Sequence, residues 1–341
     1  MIMRKKNRLF DQMTAEDTAL LVATASSVPA ERQAAQWQLA KALELPLRQG
    51  VLVGDNRDGV FEPMQWSNNI PVEFPLDLLA PGEEDEFVAY TSPGIGYIAE
   101  RRVAGDYVTV PTYYINNAID WELKFARNAT WNIVGRAMEV LEAGFVKKMN
   151  DDGWHTVLSA VADRNILVYD ADATSGNFTK RLISLMRTVM QRNSGGNSSS
   201  IRRGRLTDVF MSPEGVNDIR NWSIAEVDEL TRREIYLATD DSAVVTRVFG
   251  VNLHEMTEFG AGHEYQNFFV NQLAASIPSS DVELVVGLDL SANDSFIMPI
   301  TQGIEISPDD NLYRSQEVGF FGWGCQGFGV LDGRRCIAAS F

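Results

Sequence analysis

The sequence predicts a chain of mixed helix and strand, and three observations carry that prediction. Apolar residues at helical spacing, from Leu123 to Phe145, mark a long helix expected from about Ala118 to Asn150. Short helix and strand patterns alternate after it. The end, from Phe296 onward, is nearly all strand and turn. A chain of 341 residues suffices for one large or two ordinary domains. It contains no internal repeat of the kind that marks a solenoid.

In order along the chain, residues 1–60 read as an arm. Ala30 to Leu45 is helix-prone, with Ala34, Trp37, Ala40, Ala42 and Leu45 among its apolar positions. Pro29 suits its start and Pro46 marks its end. Turns are expected at Gly54-Asp55-Asn56 and Asp58-Gly59. Residues 61–116 carry prolines at 63, 71, 75, 81, 93 and 111, with short strand-like runs at Phe87–Tyr90 and Tyr107–Val110. A segment this rich in proline lacks a core of its own, and its aromatics argue against disorder. It reads as an extended hairpin that folds against something else.

The long helix follows. Asn117 is its expected N-cap, and Leu123, Ala126, Thr130, Ile133, Val134, Ala137, Leu141 and Phe145 form its stripe. Lys147 and Lys148 suit its end, and Asp152-Gly153 is expected to stop it. At 1.5 Å per residue such a helix spans roughly 50 Å. Phe178 to Asn193 is a second helix, with Leu182, Leu185, Met186, Val189 and Met190 on its apolar side. Residues 194–200 form a loop of glycine, serine and asparagine. Leu206 to Met211 is a strand, and Ser212-Pro213-Glu214 opens a helix with a capping serine and proline at the first position. Glu234–Leu237, Ala243–Leu253 and Val282–Leu290 read as strands.

Composition narrows the function. Acidic residues exceed Lys plus Arg by 16, so the chain lacks the basic footprint of a DNA reader. Arginines outnumber lysines 23 to 7, and guanidinium groups favour bidentate pairs at protein contacts. Cys325 and Cys336 are the only cysteines; their spacing makes no metal or redox motif, and both read as small apolar residues in a reducing compartment. Arg4-Lys5-Lys6 before Thr18–Ala25 is a poor signal peptide, because Asp11, Glu16 and Asp17 interrupt the stretch that should be apolar. No stretch approaches the ~20 apolar residues of a membrane span.

Candidate chemistry is sparse. Gly322-Trp323-Gly324-Cys325-Gln326-Gly327 satisfies G-x-G-x-x-G. That fingerprint needs a helix after it and an acidic residue ~20 positions on. Only 14 residues follow Gly327, and Asp332-Gly333 breaks them. The glycines read instead as strand glycines where backbones approach closely. His254-Glu255-Met256-Thr257-Glu258 begins like H-E-x-x-H, but Glu258 stands where the second histidine belongs, and on that reading His263 would be only a distant third ligand. A turn after a strand is the plainer reading. His155, His254 and His263 are the only histidines, and none sits beside a convincing nucleophile. Glu83-Glu84-Asp85-Glu86 lacks the ligand spacing of a calcium loop and reads as a solvated loop tip. Ile201-Arg202-Arg203-Gly204-Arg205 suits a protein contact at least as well as phosphate. A long arm, a long extended loop and a long helix without catalytic residues describe an assembly subunit rather than an enzyme. No catalytic, metal or cofactor site is expected.

At this point the chain resembles the major capsid proteins of tailed bacteriophages, the Hong Kong 97-type fold. The loop returns through Gly105-Asp106-Tyr107-Val108-Thr109-Val110-Pro111 into the long helix. Asp208-Val209-Phe210-Met211-Ser212-Pro213-Glu214, followed by Asn221-Trp222, looks like that family's strand-proline-helix step. Val248-Phe249-Gly250-Val251-Asn252-Leu253 and the stretch from Phe320 to Arg335 are similar to its recurring and closing strands. The resemblance implies an α+β subunit. Its parts would be an N-terminal arm (1–60), an extended loop (61–116), a peripheral domain with the spine helix (117–155), an axial domain (156–290) and closing peripheral strands (291–341).

It further implies self-assembly into pentamers and hexamers of an icosahedral shell. The shell would be built in the bacterial cytoplasm with a scaffolding protein and a portal, with a decoration protein as a further partner, and would become the virion capsid. Packaged double-stranded DNA would be held in non-specific contact, and no membrane is involved. The expected contacts between subunits are Glu83, Glu84, Asp85, Glu86, Arg101 and Arg102 in the extended loop, and Arg202, Arg203, Arg205, Arg334 and Arg335 elsewhere. Phe320, Phe321, Trp323 and Phe328 are expected to pack on the spine helix or line a subunit contact. Some members weld their shells through a lysine in the extended loop; residues 61–116 contain none, so that cross-link is not expected. An encapsulin-like compartment shares the fold and is the nearest alternative; a zinc- or nucleotide-dependent enzyme is the alternative from another class.

Overall fold

The computed structural model describes residues 15–53, 59–67, 70–76, 106–128, 131–172, 176–193, 204–222, 247–275, 282–291, 295–309 and 315–341. Two helices come first, α1 (Ala15–Ala23) and α2 (Pro29–Val53). α2 begins at the expected proline but runs through Pro46, where an end was expected. Leu43 and Leu47 flank that proline and are both buried. Together they are worth ~3–6 kcal/mol of burial, enough to offset the ~3 kcal/mol of an interior proline. Leu21, Ala35, Leu39 and Ala40 are buried as well.

Short strands β1 (Glu62–Gln65), β2 (Glu73–Leu76) and β3 (Asp106–Thr109) follow. β2 and β3 pair antiparallel and bracket residues 77–105, which lie outside the described residues.

The largest correction concerns the long helix. Residues 113–122 form a ten-residue strand, β4 (Tyr113–Glu122), followed by the short α3 (Leu123–Arg127) and the long α4 (Trp131–Asp163). Ala118 is therefore in a strand, and Asn117 is no helix cap. Ile115, Ile119 and Trp121 alternate with exposed residues, the period of two that marks a strand. Asn117 still serves the helix: its Nδ2 donates to the Leu141 carbonyl at 3.1 Å, next to Gly144.

Nor does Asp152-Gly153 end α4. Trp154, Val157, Leu158 and Val161 are all at most 1 % exposed. Their burial, at ~1.5–3 kcal/mol each, far exceeds the ~1 kcal/mol that one helical glycine costs. The helix stops at Asn165, whose φ of 51° is the left-handed cap that asparagine tolerates.

Beyond it come β5 (Leu167–Tyr169), α5 (Lys180–Arg192), β6 (Asp208–Met211) and α6 (Pro213–Asn221). The Ser212 hydroxyl caps α6 by accepting the Gly215 N–H at 3.2 Å, as the sequence predicts. The single strand expected over 243–253 is a hairpin in its described part, β7 (Arg247–Val248) and β8 (Val251–Glu255). It turns at Phe249 and Gly250, both with positive φ. A short helix α7 (Glu264–Asn267) runs into a π-helical turn, Phe268–Gln272. Then come β9 (Leu284–Leu288), β10 (Phe296–Pro308), β11 (Glu317–Gln326), β12 (Gly329–Val330), a 3₁₀ turn at Gly333–Arg335 and β13 (Cys336–Ser340).

The chain divides into two compact units. The first comprises Met1–Val72, Pro111–Gly153 and Met298–Phe328. Its sheet has the order β1-β10-β11-β4, with β11 and β4 antiparallel from Glu317 opposite Glu122 to Gln326 opposite Tyr113. Met138, Leu141, Phe145 and Met149 of α4 are buried in it.

The second unit comprises Glu73–Val110, Trp154–Ile297 and Gly329–Phe341. Its six-stranded sheet has the order β5-β13-β9-β6-β8-β7 and mixes parallel and antiparallel pairs. α5 and α6 pack through Leu182, Met186, Val216 and Ile219 into a core that includes Val209, Ile337 and Phe341. Elsewhere in this unit Trp154 meets Phe210 edge-on at 4.7 Å and stacks on Tyr265 at 6.1 Å. β13 belongs to this sheet through β9 and β5, so not every closing strand lies beside β11.

Candidate assembly surfaces

The glycine-rich stretch is used for close packing. A Cβ added at Gly322 would sit 3.1 Å from the Phe145 ring of α4, one at Gly324 3.2 Å from Ile304, and one at Gly327 2.3 Å from the Pro111 carbonyl oxygen. All three fingerprint glycines face protein at contact distance. β11 is followed by two strands and a 3₁₀ turn, so no helix N-terminus is present to hold a phosphate.

Alternation along β11 sorts its aromatics onto two faces. On the α4 side, Phe320 is 1 % exposed and stacks on Trp121 at 5.5 Å. Gly322 on the same side takes the Phe145 ring. On the other side, Phe321 and Trp323 stack on each other at 5.1 Å and stay half-buried. Their neighbours across the register are Ala118 and Asn116, both exposed, with Tyr114 next along the same face. Tyr114 is 63 % exposed. Phe328 is buried against Phe61, edge-on at 5.3 Å. The four aromatics expected to act together thus separate, two into the core and two onto a partly open face.

The expected contact charges also separate. Glu83, Glu84, Asp85, Glu86, Arg101, Arg102, Arg202 and Arg203 lie outside the described residues. Arg205 is exposed, and its backbone N–H donates to Asp289 at 3.1 Å. Arg334 is largely covered and pairs with Asp332 of its own chain at 3.0 Å. Arg335 is 1 % exposed, which corrects the expectation that it meets a neighbour. A guanidinium that its own subunit encloses offers no charge at the surface.

The first residue of the histidine motif is held by neighbours from its own unit. His254 Nε2 lies 2.8 Å from Asp208 Oδ1, and its ring stacks on Phe210 at 4.5 Å. Burial raises the Asp208 carboxyl, but hydrogen bonds from His254, Thr207 and Asn252 and the nearby His254 charge outweigh it, so the group sits below its ordinary value. Glu255 points instead toward Arg220, 3.9 Å away. Among the described residues no group of three or more His, Cys, Asp or Glu could hold a metal ion. Both cysteines are buried, and burial pushes the Cys336 thiol up to about 12. No described helix is long and apolar enough to cross a membrane.

No family model matches the sequence, and no curated protein matches it. Solved structures do match in fold. The head structure of Helicobacter pylori bacteriophage KHP40 aligns with a TM-score of 0.54 at 8 % identity, over 84 % of this chain and 90 % of that one. The cyanophage Pam1 capsid aligns at 0.50 and 11 % identity, over 83 % and 88 %. The acid-stable capsid of Helicobacter pylori bacteriophage KHP30 aligns at 0.50 and 10 %, over 82 % and 87 %. The chain is thus a mixed α+β protein similar in fold to the Hong Kong 97-type capsid proteins of phages.

Proposed function

We propose that this chain is the major capsid subunit of a tailed bacteriophage, assembling with copies of itself into pentamers and hexamers of an icosahedral shell. The observation that carries this reading is the alignment with a phage head structure across 84 % of this chain and 90 % of that one. Surface chemistry supports it. A net charge of −16 suits a container that holds packaged double-stranded DNA without gripping it. The half-open Phe321–Trp323 face, extended by Tyr114, is an aromatic patch of the kind buried between subunits. The acidic run Glu83–Glu86, together with Arg101, Arg102, Arg202, Arg203 and Arg205, would supply charge pairing between neighbours. A scaffolding protein, a portal and a decoration protein are its proposed partners, and the mature virion capsid its proposed place.

The test is negative-stain microscopy and gel filtration of the chain expressed with its scaffold. Large closed particles or capsomers are expected, with nuclease-resistant DNA in particles taken from infected cells. A chain that stays monomeric at high concentration overturns the reading, and particles that carry protein cargo without DNA replace it with a cellular compartment. Trp323→Ser is expected to keep the melting temperature within about 4 °C, the scale of 1 kcal/mol in a large domain, while sharply lowering particle yield. Unchanged yield would remove this face from the contact.

A further inference from the structure

The second unit carries a strongly basic strip in an acidic chain. Between Asp172 and Asp208 the sequence has seven lysines and arginines and no acidic residue, while the whole chain has a net charge of −16. α5 lies in that stretch. Its apolar side, with Leu182, Ile183, Met186 and Met190, is buried in the core, and Leu185 and Val189 pack against it. Its exposed positions hold four cations, with Ser184, Thr188 and Gln191 between them. At 3.6 residues per turn these positions share one side of the helix. Among the described helices of eight residues or more, α5 alone has cations and no carboxylate.

Helix stability does not explain these cations. Lys180 and Arg181 stand in the first turn, where positive charge works against the helix dipole. Arg181 pairs with Asp172 and with Asp170, the latter at 3.4 Å, so its charge is met within the subunit. Arg187 reaches the β7–β8 turn, where its Nη1 donates to the Phe249 carbonyl at 3.3 Å. The exposed Arg247 belongs to the same turn, its Nη2 4.0 Å from where a Cβ at Gly250 would sit. Lys180, Arg187 and Arg192 of α5 and Arg247 of the hairpin are therefore the cations of the strip. Lys180 to Arg192 covers roughly 18 Å, the rise of about five base pairs of duplex. Phe249 borders the strip, and its ring leans on Trp222 at 6.4 Å.

We propose that this strip binds the phosphate backbone of double-stranded DNA without regard to sequence, and is where an otherwise acidic subunit touches the DNA it encloses. The chemistry of the face selects that partner. The centre of a contact between proteins is apolar and poor in charge, and the exposed side of α5 has no apolar residue. Interfaces with nucleic acid are polar and strongly positive. Arginine, lysine, serine, threonine and glutamine are the side chains that hold phosphate oxygens, and such contacts carry no sequence information. Carboxylates elsewhere on the chain repel the duplex and confine it to the strip. The identity of the ligand rests on the capsid reading, whereas the binding itself belongs to the single chain and needs no shell.

Fluorescence anisotropy tests it, with a labelled duplex of about 30 base pairs titrated with the full chain from about 20 mM to about 200 mM salt. Four phosphate contacts predict that the logarithm of the binding constant falls with the logarithm of salt at a slope of about −3.6. Arg192→Gln with Arg247→Gln should bring the slope to about −1.8. Arg127→Gln with Arg136→Gln removes the same charge from exposed positions of the first unit and should leave the slope as in the wild type. Duplexes of only A·T and only G·C pairs should bind alike. An unchanged slope in the Arg192 and Arg247 variant overturns the proposal, and so does an equal drop in the Arg127 and Arg136 variant. Failure of the wild type to bind at the lowest salt overturns it without any variant; if the Arg192 and Arg247 variant then also loses particles, the face is a contact between copies. Particle formation is read separately. Duplex binding through the strip without particles sinks the capsid reading and leaves the strip standing, and particles without duplex binding do the reverse.

Discussion

Trp154→Ala is expected to destabilise the protein by about 3–5 kcal/mol, the range for removing a fully buried large aromatic. Trp154 is 1 % exposed and contacts three rings: Phe210 at 4.7 Å, Phe259 at 5.6 Å and Tyr265 at 6.1 Å. It stands where α4 continues past Gly153, so its loss also removes one of the four buried side chains that carry the helix past that glycine. Thermal unfolding followed by near-ultraviolet circular dichroism should show a drop of roughly 6–20 °C, at ~2–4 °C per kcal/mol in a large domain. Trp154→Phe provides the contrast. The indole N–H of Trp154 is buried with no hydrogen-bond partner among the described residues. Phenylalanine keeps most of the ring contact and removes that unmet donor, so its cost should be well under half that of alanine. Equal losses in the two variants would mean that ring packing does not hold this part of the fold.

How much of this was legible in the sequence depended on where the deciding partner lies. The α6 step was legible because its chemistry is local: Ser212 caps it and Pro213 sits at its first position, two adjacent residues with one physical role each. The apolar side of α5 was legible for the same reason, since one period of 3.6 residues describes it. The start of α4 was not. Leu123 and Ala126 fit a helical stripe and Ala118 stands where its helix was expected to start, yet Ala118 belongs to a strand because Phe321, about 200 positions away, pairs with it. A period of two at Ile115, Ile119 and Trp121 was present as a competing signal, and the pairing partner decided between them.

The candidate surface divides in the same way. That Phe320 and Phe321 face opposite sides follows from strand alternation alone, once β11 is recognised as a strand. That Arg335 is enclosed does not follow from its type, because arginine is mostly exposed and only its place before the buried strand β13 hides it. The glycines carried the opposite difficulty. Their spacing matches a nucleotide fingerprint, while their function depends on Phe145, Ile304 and Pro111, none of which is near in sequence.

Those three contacts predict an order of sensitivity, with Gly327→Ala as the most damaging change. Its Cβ would lie 2.3 Å from the Pro111 carbonyl oxygen, a backbone atom that no rotamer change can move. The Gly327 N–H donates to the Pro299 carbonyl at 2.9 Å, so the residue cannot swing away without breaking the register with β10. The cost should exceed the ~1–3 kcal/mol of ordinary overpacking. Gly322→Ala meets the Phe145 ring first, at 3.1 Å, and Gly324→Ala the Ile304 side chain first, at 3.2 Å, both able to yield by a few tenths of an ångström, while the nearest backbone atoms stand at ordinary contact distance, 3.4 and 3.5 Å. These two should each cost about 1 kcal/mol, at the lower end of that range. Measured melting temperatures should therefore fall most for position 327 and least for 324, with soluble yield and particle formation lost first at 327. A nucleotide-binding loop would give a different pattern: alanine at 322 or 324 would abolish ligand binding and leave the fold intact. Equal tolerance of alanine at all three positions would mean that close approach is not why glycine stands there.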